Sequence, residues 1–147
     1  MKNIFIIGSK GMGNYGGYET FLENLTYFQR SKEIKYHVAY REEDCKDNVG
    51  EKEFEQNNAR CFAIKVPNIG PAKAIVYDVK ALKESIKYIK EHKIENAIIY
   101  ILACRIGPFL GHYKKQCEKL EIKIYVNPDG HEWLPPIAYD VNNMAIA

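Results

Sequence analysis

The sequence predicts an α/β fold: a Rossmann-like, open and mostly parallel sheet with helices on both faces. Three observations lead to this prediction. Continuous apolar runs rich in β-branched residues, such as residues 4–7, are typical of strands buried on both faces of a parallel sheet. Segments whose apolar residues lie three and four positions apart separate these runs and are typical of amphipathic helices. Strands that alternate with helices in this way form βαβ units.

The first half of the chain contains the first of these units. Residues 4–7 predict a strand, and residues 19–29 predict a helix with its apolar residues on one side. Those residues are Phe21, Leu22, Leu25 and Phe28. Residues 36–40 and 60–66 predict two further strands. The stretch 41–58 is charged and poor in apolar residues, so it predicts a solvated loop with at most a helical turn.

The second half of the chain repeats the alternation. Residues 72–92 predict a long amphipathic helix, because their apolar positions alternate in steps of four and three. Residues 96–102 predict another buried strand. Pro108 lies near the start of a predicted helix over residues 107–120, as is common at a first helical turn. A last strand is predicted over residues 123–126.

Three loops are predicted to meet at the carboxyl edge of this sheet. They span residues 8–18, 103–107 and 127–133. Open parallel sheets bind their ligands at this edge, so we expect the functional residues there.

Composition places the chain among soluble globular domains. The 147 residues suffice for one domain with a core, and the formal net charge of +2 does not favour nucleic acid as a partner. No apolar stretch approaches the roughly 20 residues of a membrane span. The start of the chain also lacks the layout of a signal peptide. We therefore expect a cytoplasmic protein.

Cysteine usage points to reduced thiols rather than to zinc or disulfides. The four cysteines show no C-x-x-C spacing and no paired histidine pattern. They are Cys45, Cys61, Cys104 and Cys117. No carboxylate pair has the spacing of metal ligands, so we expect no metal.

A glycine-rich loop follows the first strand directly. Its glycines are Gly8, Gly11, Gly13, Gly16 and Gly17. Glycine is placed where backbone must bend sharply or lie close to a ligand. The helix that follows offers free N–H groups and the positive end of its dipole, which suit a phosphate or another anion. Gly16 and Gly17 are the expected donors.

Two other interpretations of this loop stay open. Gly11, Gly13 and Gly16 match G-x-G-x-x-G, but the match starts three residues after the strand has ended and the acidic residues near position 43 come later than in the dinucleotide fingerprint. A nicotinamide-type site is therefore the weaker alternative. In the other, the glycines serve only a tight turn. No Gly-Lys-Ser/Thr follows, which excludes a P-loop.

The segment after the last strand is dense in polar side chains. Asp129, His131 and Glu132 can act as acids and bases or hold sugar hydroxyls. The alternative is an ordinary Pro-Asp-Gly turn with Trp133 packed beneath it.

Two further features allow a functional and a plain interpretation. Arg105 follows a buried strand and either binds an anion or covers the edge of the sheet, whereas Cys104 is expected to be a buried, inert thiol. Four lysines share the side of the long helix opposite its apolar face, either as a solvated surface or as a contact for anionic lipid headgroups. They are Lys80, Lys83, Lys87 and Lys90.

Two blocks of sequence together resemble bacterial rhamnosyltransferases of capsule and cell-wall polysaccharide synthesis. Residues 15–21 read Tyr-Gly-Gly-Tyr-Glu-Thr-Phe, and residues 125–133 read Tyr-Val-Asn-Pro-Asp-Gly-His-Glu-Trp. Residues 65–70 and 103–108 also resemble segments of these enzymes. The bacterial rhamnosyltransferases are themselves similar to glycosyltransferase family four, which has the two-domain GT-B fold. The similarity covers roughly residues 2–133.

The resemblance implies retaining transfer of a sugar from a nucleotide-diphosphate donor to a lipid-linked saccharide acceptor. The expected sugar is rhamnose, with dTDP-rhamnose as the donor. No cofactor is implied. Residues 1–133 would be the acceptor-side domain, while residues 134–147 depart from the family pattern as a divergent tail. The donor-binding domain is absent from this sequence, so we expect no transfer by the chain alone. Contact with the membrane and dimerisation through the exposed domain face are further expectations.

The resemblance also suggests roles for individual residues. Asp129, His131 and Glu132 would orient acceptor hydroxyls or move a proton. The remaining candidates would bind the donor diphosphate or shape the loops around it. They are Tyr15, Gly16, Gly17, Glu19, Arg105, Asn127 and Gly130. A dinucleotide-binding domain and a non-catalytic docking module remain the alternative functions.

Overall fold

The computed structural model describes residues 1–127 and 139–140. The strands are β1 (Lys2–Ile7), β2 (Ile34–Arg41), β3 (Glu53–Gln56), β4 (Ala59–Ile64), β5 (Ile98–Ile101), β6 (Lys123–Val126) and β7 (Tyr139–Asp140). The helices are α1 (Gly17–Phe28), α2 (Lys73–Glu91) and α3 (Gly107–Lys119). Short 3₁₀ turns cover Glu42–Asp44, Gly70–Ala72 and Cys104–Ile106.

The strands form one sheet whose order reverses at β1. Within the described residues the order is β3-β4-β2-β1-β5-β6-β7, with β4, β2, β1, β5 and β6 mutually parallel. The edge strands β3 and β7 run antiparallel to their neighbours. The predicted open, mostly parallel α/β sheet is therefore confirmed. The chain leaves β1 toward β2 on one side and later returns to β5 on the other, which creates a crevice at the carboxyl end of β1.

Both faces of the sheet are covered by helices, as predicted. The alternation of side chains along β1 sends Phe5 and Ile7 to one face and Ile6 to the other. On the first face α2 and α3 pack against the sheet through Leu82, Ile86 and Ile89 of α2 and Leu110 and Cys117 of α3. On the second face α1 inserts Leu22, with Leu25 partly buried beside it. Burial of these apolar surfaces stabilises the three-layer arrangement.

The solvated loop predicted over residues 41–58 is partly wrong. The structure places β3 there, paired with β4 through a two-residue turn at Asn57 and Asn58. Both asparagines have positive φ, which a tight hairpin of this type requires and which asparagine tolerates better than most residues. Phe54 packs edge-on against the Tyr40 ring at a centroid distance of 5.0 Å. One partly buried aromatic in a charged segment is too weak a pattern to predict a strand.

The predicted apolar side of α1 also needs correction. Phe21 and Phe28 are 47% and 67% exposed, so they do not face the sheet. Leu22 and Thr26 are fully buried instead, and the Thr26 hydroxyl donates to the Leu22 carbonyl oxygen one turn earlier. A hydroxyl that is satisfied within its own helix can be buried, which a count of apolar residues overlooks.

In the part of the chain that the structure describes, no helix is long and apolar enough to cross a membrane.

A buried histidine makes stability depend on pH. His37 stacks on Phe5 at a centroid distance of 4.1 Å, and its Nε2 lies 2.9 Å from Asn3 Oδ1. An Arg60 guanidinium nitrogen lies 3.4 Å from Nδ1. Because a guanidinium only donates, Nδ1 accepts and the neutral ring carries its proton on Nε2. Burial, with the positive charge of Arg60 second, lowers the pKa of His37 to about 3.

We expect the free energy of unfolding to fall as the pH drops from about 6.5 toward 3. In that window the unfolded chain binds a proton at His37 that the folded chain rejects, at about 1.4 kcal/mol per pH unit. Urea denaturation of the wild type and His37→Gln at several pH values measures the slope, which should be shallower in the variant. The exposed His112→Gln serves as the control. Equal slopes for wild type and His37→Gln would contradict the prediction.

Candidate functional site

The glycine loop lies across the carboxyl end of β1, at the point where the strand order reverses. Its first residue, Gly8, packs against the backbone that leaves β5, because a Cβ at Gly8 would lie 3.2 Å from the Leu102 nitrogen. The Leu102 N–H donates to the Ile7 carbonyl oxygen. The loop is therefore seated in the crevice where open α/β sheets bind ligands.

Three neighbouring segments hold the loop in place. From α2, the Tyr77 hydroxyl donates to the Ser9 carbonyl oxygen at 2.6 Å. From the turn after β5, Arg105 Nη2 donates to the Gly8 carbonyl oxygen at 3.1 Å. From the end of β2, the Arg41 N–H approaches the Lys10 carbonyl oxygen at 3.4 Å. Since these contacts satisfy consecutive carbonyl groups, the loop has a fixed shape before any ligand arrives.

Gly11 and Gly13 are turn residues. Their φ angles are +109° and +80°, a region that side chains other than glycine rarely adopt. Gly11 is also in close contact with the Tyr40 ring, which a Cβ at this position would overlap. The Tyr40 hydroxyl lies 3.2 Å from the Met12 carbonyl oxygen and 2.9 Å from Gln56 Oε1. The first two glycines of the G-x-G-x-x-G match thus have structural reasons to be present.

Gly16, Gly17 and Tyr15 lie where the loop enters α1. Gly17 is the first residue of α1, it is exposed, and no atom stands within 4 Å of where its Cβ would be. Tyr15 is 98% exposed. Gly16 has a φ of +152° and directly precedes the helix, whose start has no side-chain cap. The start of α1 therefore opens to solvent at the carboxyl edge of the sheet, as the sequence led us to expect.

Glu19 sits inside the loop rather than at its surface. The residue is only 6% exposed, and its Oε1 accepts a hydrogen bond from the Lys10 N–H at 2.9 Å. The carboxylate packs directly on Gly16, where a Cβ would collide with it. In the first turn of a helix a carboxylate also interacts favourably with the dipole. Glu19 therefore shapes the loop from below.

Arg105 forms an ion pair that the sequence did not reveal. Its Nε and Nη2 donate to the two carboxylate oxygens of Asp78 at 3.0 and 3.3 Å. The Asp78 side chain is fully buried, whereas that of Arg105 is 39% exposed. Burial raises the pKa of Asp78 and the hydrogen bond and charge of Arg105 oppose that rise. Arg105 thus pairs with a buried carboxylate while its side chain stays partly open to solvent.

The burial of Asp78 could have been predicted from the pattern of α2. It lies four residues before Leu82 and three after Ile75, on the apolar side of the helix. A charged residue at such a position is almost never buried without a partner. What the pattern does not supply is the partner, because Arg105 follows 27 residues later.

The turn after β5 contains one error of the sequence prediction. Cys104, expected to be buried and inert, is exposed, and its thiol lies 3.5 Å from the Asn127 carbonyl oxygen. The strand ends at Ile101, earlier than predicted, so Cys104 falls in a surface 3₁₀ turn. Asn127 continues the sheet through its N–H to the Ile101 carbonyl oxygen at 2.8 Å.

The predicted residues after β6 lie outside the described part of the chain. They are Asp129, Gly130, His131 and Glu132. The structure brings together the other candidates at one edge: the start of α1, the turn with Arg105, and Asn127 beyond β6. Among the described residues, no group of three or more His, Cys, Asp or Glu side chains is placed to hold a metal ion. The chemistry that these groups offer is hydrogen-bond donation and positive charge, which suit an anion.

Comparison with known proteins gives a family. No curated protein matches the chain. One family model, described as a domain of unknown function (DUF1972), matches residues 1–139. This match covers β1 through the start of β7 and includes every loop at the candidate site. The chain therefore belongs to the DUF1972 family.

Proposed function

We propose that this domain is the acceptor-side half of a retaining glycosyltransferase, in which the glycine loop faces the diphosphate of a nucleotide-sugar donor. Rhamnose is the proposed sugar and a lipid-linked saccharide the proposed acceptor. The observation that carries the proposal is the placement of the exposed start of α1 at the strand-order reversal, on a glycine loop whose first residue, Gly8, is bound by Arg105. The sequence resemblance of residues 15–21 and 125–133 supports the same class.

The geometry suits a leaving diphosphate. As the sugar departs, negative charge grows on the diphosphate oxygens, and donors fixed in advance stabilise that charge without reorganising. The start of α1 supplies the exposed N–H of Gly17 and the positive dipole end, which the buried Glu19 carboxylate offsets only in part. Arg105, oriented by Asp78, supplies a positive charge at the Gly8 end of the same loop. Asp129, His131 and Glu132 remain candidates for handling the acceptor hydroxyl.

A nicotinamide dinucleotide fits this loop less well. In the dinucleotide fingerprint the first glycine makes the tight turn directly after the strand, and the second allows the pyrophosphate to approach. Here Gly11 packs on the Tyr40 ring, and the turn directly after β1 is made by Gly8. The end of β2 carries Arg41, which pairs with Asp44.

Gly17 gives a sharp test because its Cβ would meet no other atom. Gly17→Asp places a negative charge at the start of α1, whereas Gly17→Asn keeps the shape without the charge. We expect pyrophosphate and dTDP-rhamnose to bind the 147-residue chain weakly, with a Kd on the order of 1 mM, and to shift the amide resonances of Gly16 and Gly17. The aspartate variant should bind about fivefold more weakly than the asparagine variant, which corresponds to ~1 kcal/mol.

Four results would contradict the proposal. Equal affinity of the two Gly17 variants for the diphosphate would show that it does not bind at this loop. Unshifted amide resonances of Gly16 and Gly17 would show the same. Binding of NAD or NADP with a Kd near 1 μM would favour the dinucleotide alternative. Sugar transfer by the isolated chain would contradict the assignment of donor binding to a second domain.

A further inference from the structure

Charge is distributed unevenly between the two faces of the molecule. Within the described residues, α1 carries Glu19 and Glu23 and no lysine or arginine. The helices of the opposite face, α2 and α3, carry eight lysines against four acidic residues, one of which is the buried Asp78. Because the whole chain has a formal charge of only +2, the α2–α3 face is distinctly more basic than the rest. A field of this kind attracts extended anionic surfaces.

Three of the five lysines of α2 border a groove, whereas Lys80 donates to the Lys65 carbonyl oxygen instead. Lys83, Lys87 and Lys90 are spaced four and three residues apart, so they share one side of the helix. Together with Tyr113 and Gln116 of α3 they line a cavity of about 470 Å³. The groove has an apolar floor, to which Ile86 contributes. Glu84 and Glu91 also border it, so its lysines exceed its acids by one.

The rim of α3 extends the basic surface. Lys119 follows Gln116 by one turn, and Lys115 lies four residues before Lys119 on the same side of α3; both are exposed. Phe109, in the first turn of the same helix, is 45% exposed. None of the lysines at the groove or on this rim takes part in an ion pair with another described residue. Their charges are therefore available to a partner.

We propose that the α2–α3 face binds the surface of an anionic phospholipid bilayer. Several unpaired lysines around a groove with an apolar floor match phosphate headgroups above an acyl boundary, and an exposed aromatic ring can enter that boundary. In this orientation α2 and α3 lie between the sheet and the membrane surface. The inference does not depend on sugar transfer.

The test uses the 147-residue chain and vesicles in a cosedimentation assay. Vesicles of phosphatidylcholine with about one third phosphatidylglycerol should bind the chain, and pure phosphatidylcholine vesicles should not. Lys83→Glu/Lys87→Glu/Lys90→Glu should reduce binding on the order of 100-fold, since each lysine near an anionic surface contributes about 1 kcal/mol. The matched control, Lys2→Glu/Lys32→Glu/Lys52→Glu, changes three exposed lysines away from both helices by the same net charge. It should retain binding within about threefold.

Circular dichroism of both triple variants verifies that they fold. Equal losses in the two variants would mean that net charge alone governs binding and would overturn the proposal. Wild-type binding to neutral and anionic vesicles alike would overturn it as well. So would displacement from vesicles by soluble glycerol phosphate at the same phosphate concentration, because it would indicate a site for one anion rather than a bilayer surface. The vesicle assay contains no nucleotide sugar, so its failure leaves the diphosphate experiment at Gly17 unaffected.

Discussion

Replacing Arg105 with methionine is expected to lower the free energy of unfolding by about 3 kcal/mol at pH 7. The substitution keeps the length of the side chain but leaves the fully buried Asp78 carboxylate without its cation. It also removes the hydrogen bond to the Gly8 carbonyl oxygen. The effect is at the lower end of the range for broken buried pairs because the Arg105 side chain is 39% exposed. Urea denaturation measures the change.

The pH dependence of that loss identifies its cause. The pKa of Asp78 is already raised by burial, and removing Arg105 raises it further. A carboxyl group whose folded pKa lies above its unfolded value of about 3.9 stabilises the fold at low pH and loses that contribution as the pH rises through the folded pKa. The penalty of Arg105→Met should therefore shrink as the pH falls below 7.

A double variant separates the charge from the packing. Asp78→Asn/Arg105→Met removes both charges, so it should recover part of the stability that Arg105→Met loses. Its stability should also lack the pH dependence that Asp78 gives the single variant. A loss below about 1 kcal/mol in Arg105→Met, or a loss that is the same at every pH, would contradict the role of the ion pair.

Gly11→Ala is the second substitution with a large expected effect. A φ of +109° strains any side chain, and the new methyl group would overlap the ring of Tyr40. The ring cannot move away cheaply, because Tyr40 is buried, packed against Phe54 and anchored by its hydroxyl. Strain and overpacking together predict a loss of about 3 kcal/mol. The midpoint of thermal or urea denaturation reports it.

Gly13→Ala is the matched control for this prediction. Gly13 has a φ of +80° but no atom within 4 Å of its missing Cβ, so only backbone strain of about 1 kcal/mol applies. A coupling energy above about 1 kcal/mol between Gly11→Ala and Tyr40→Leu in a double-mutant cycle would assign the difference to the ring. Equal losses for the two glycines, or additivity in the cycle, would show that the contact with Tyr40 has no energetic effect.

Secondary structure was predictable wherever the local pattern was long and regular. The bounds of β6 agree with the prediction, and α2 differs by one residue at each end, because five apolar positions in helical spacing leave little choice. The strand β3 was missed because Phe54 is its only large apolar residue. The exposure of Phe21 and Phe28 was missed because the buried side of α1 is centred on Leu22 and the polar Thr26, which a count of apolar residues leaves out.

The candidate site was predictable in position but not in its internal contacts. Successive strand ends predicted that the glycine loop, Arg105 and Asn127 would share one edge, and the structure places them there. The carboxylate of Glu19 beneath Gly16 was not foreseen, since a glutamate in a first helical turn has the same pattern whether it faces solvent or the loop. The exposure of Cys104 was also not foreseen, because it depends on where β5 ends.

The sequence by itself determined the kind and order of the three helices and the five parallel strands, and the position of the glycine loop after the first strand. These follow from periodicity, turn residues and chain direction, which act over a few neighbouring residues. Only the tertiary structure decided that Asp78 orients Arg105, that Tyr40 lies against Gly11, and that three lysines of α2 border a groove with α3. The partners in each of these contacts come from distant segments, and packing of the helices against the sheet brings them together.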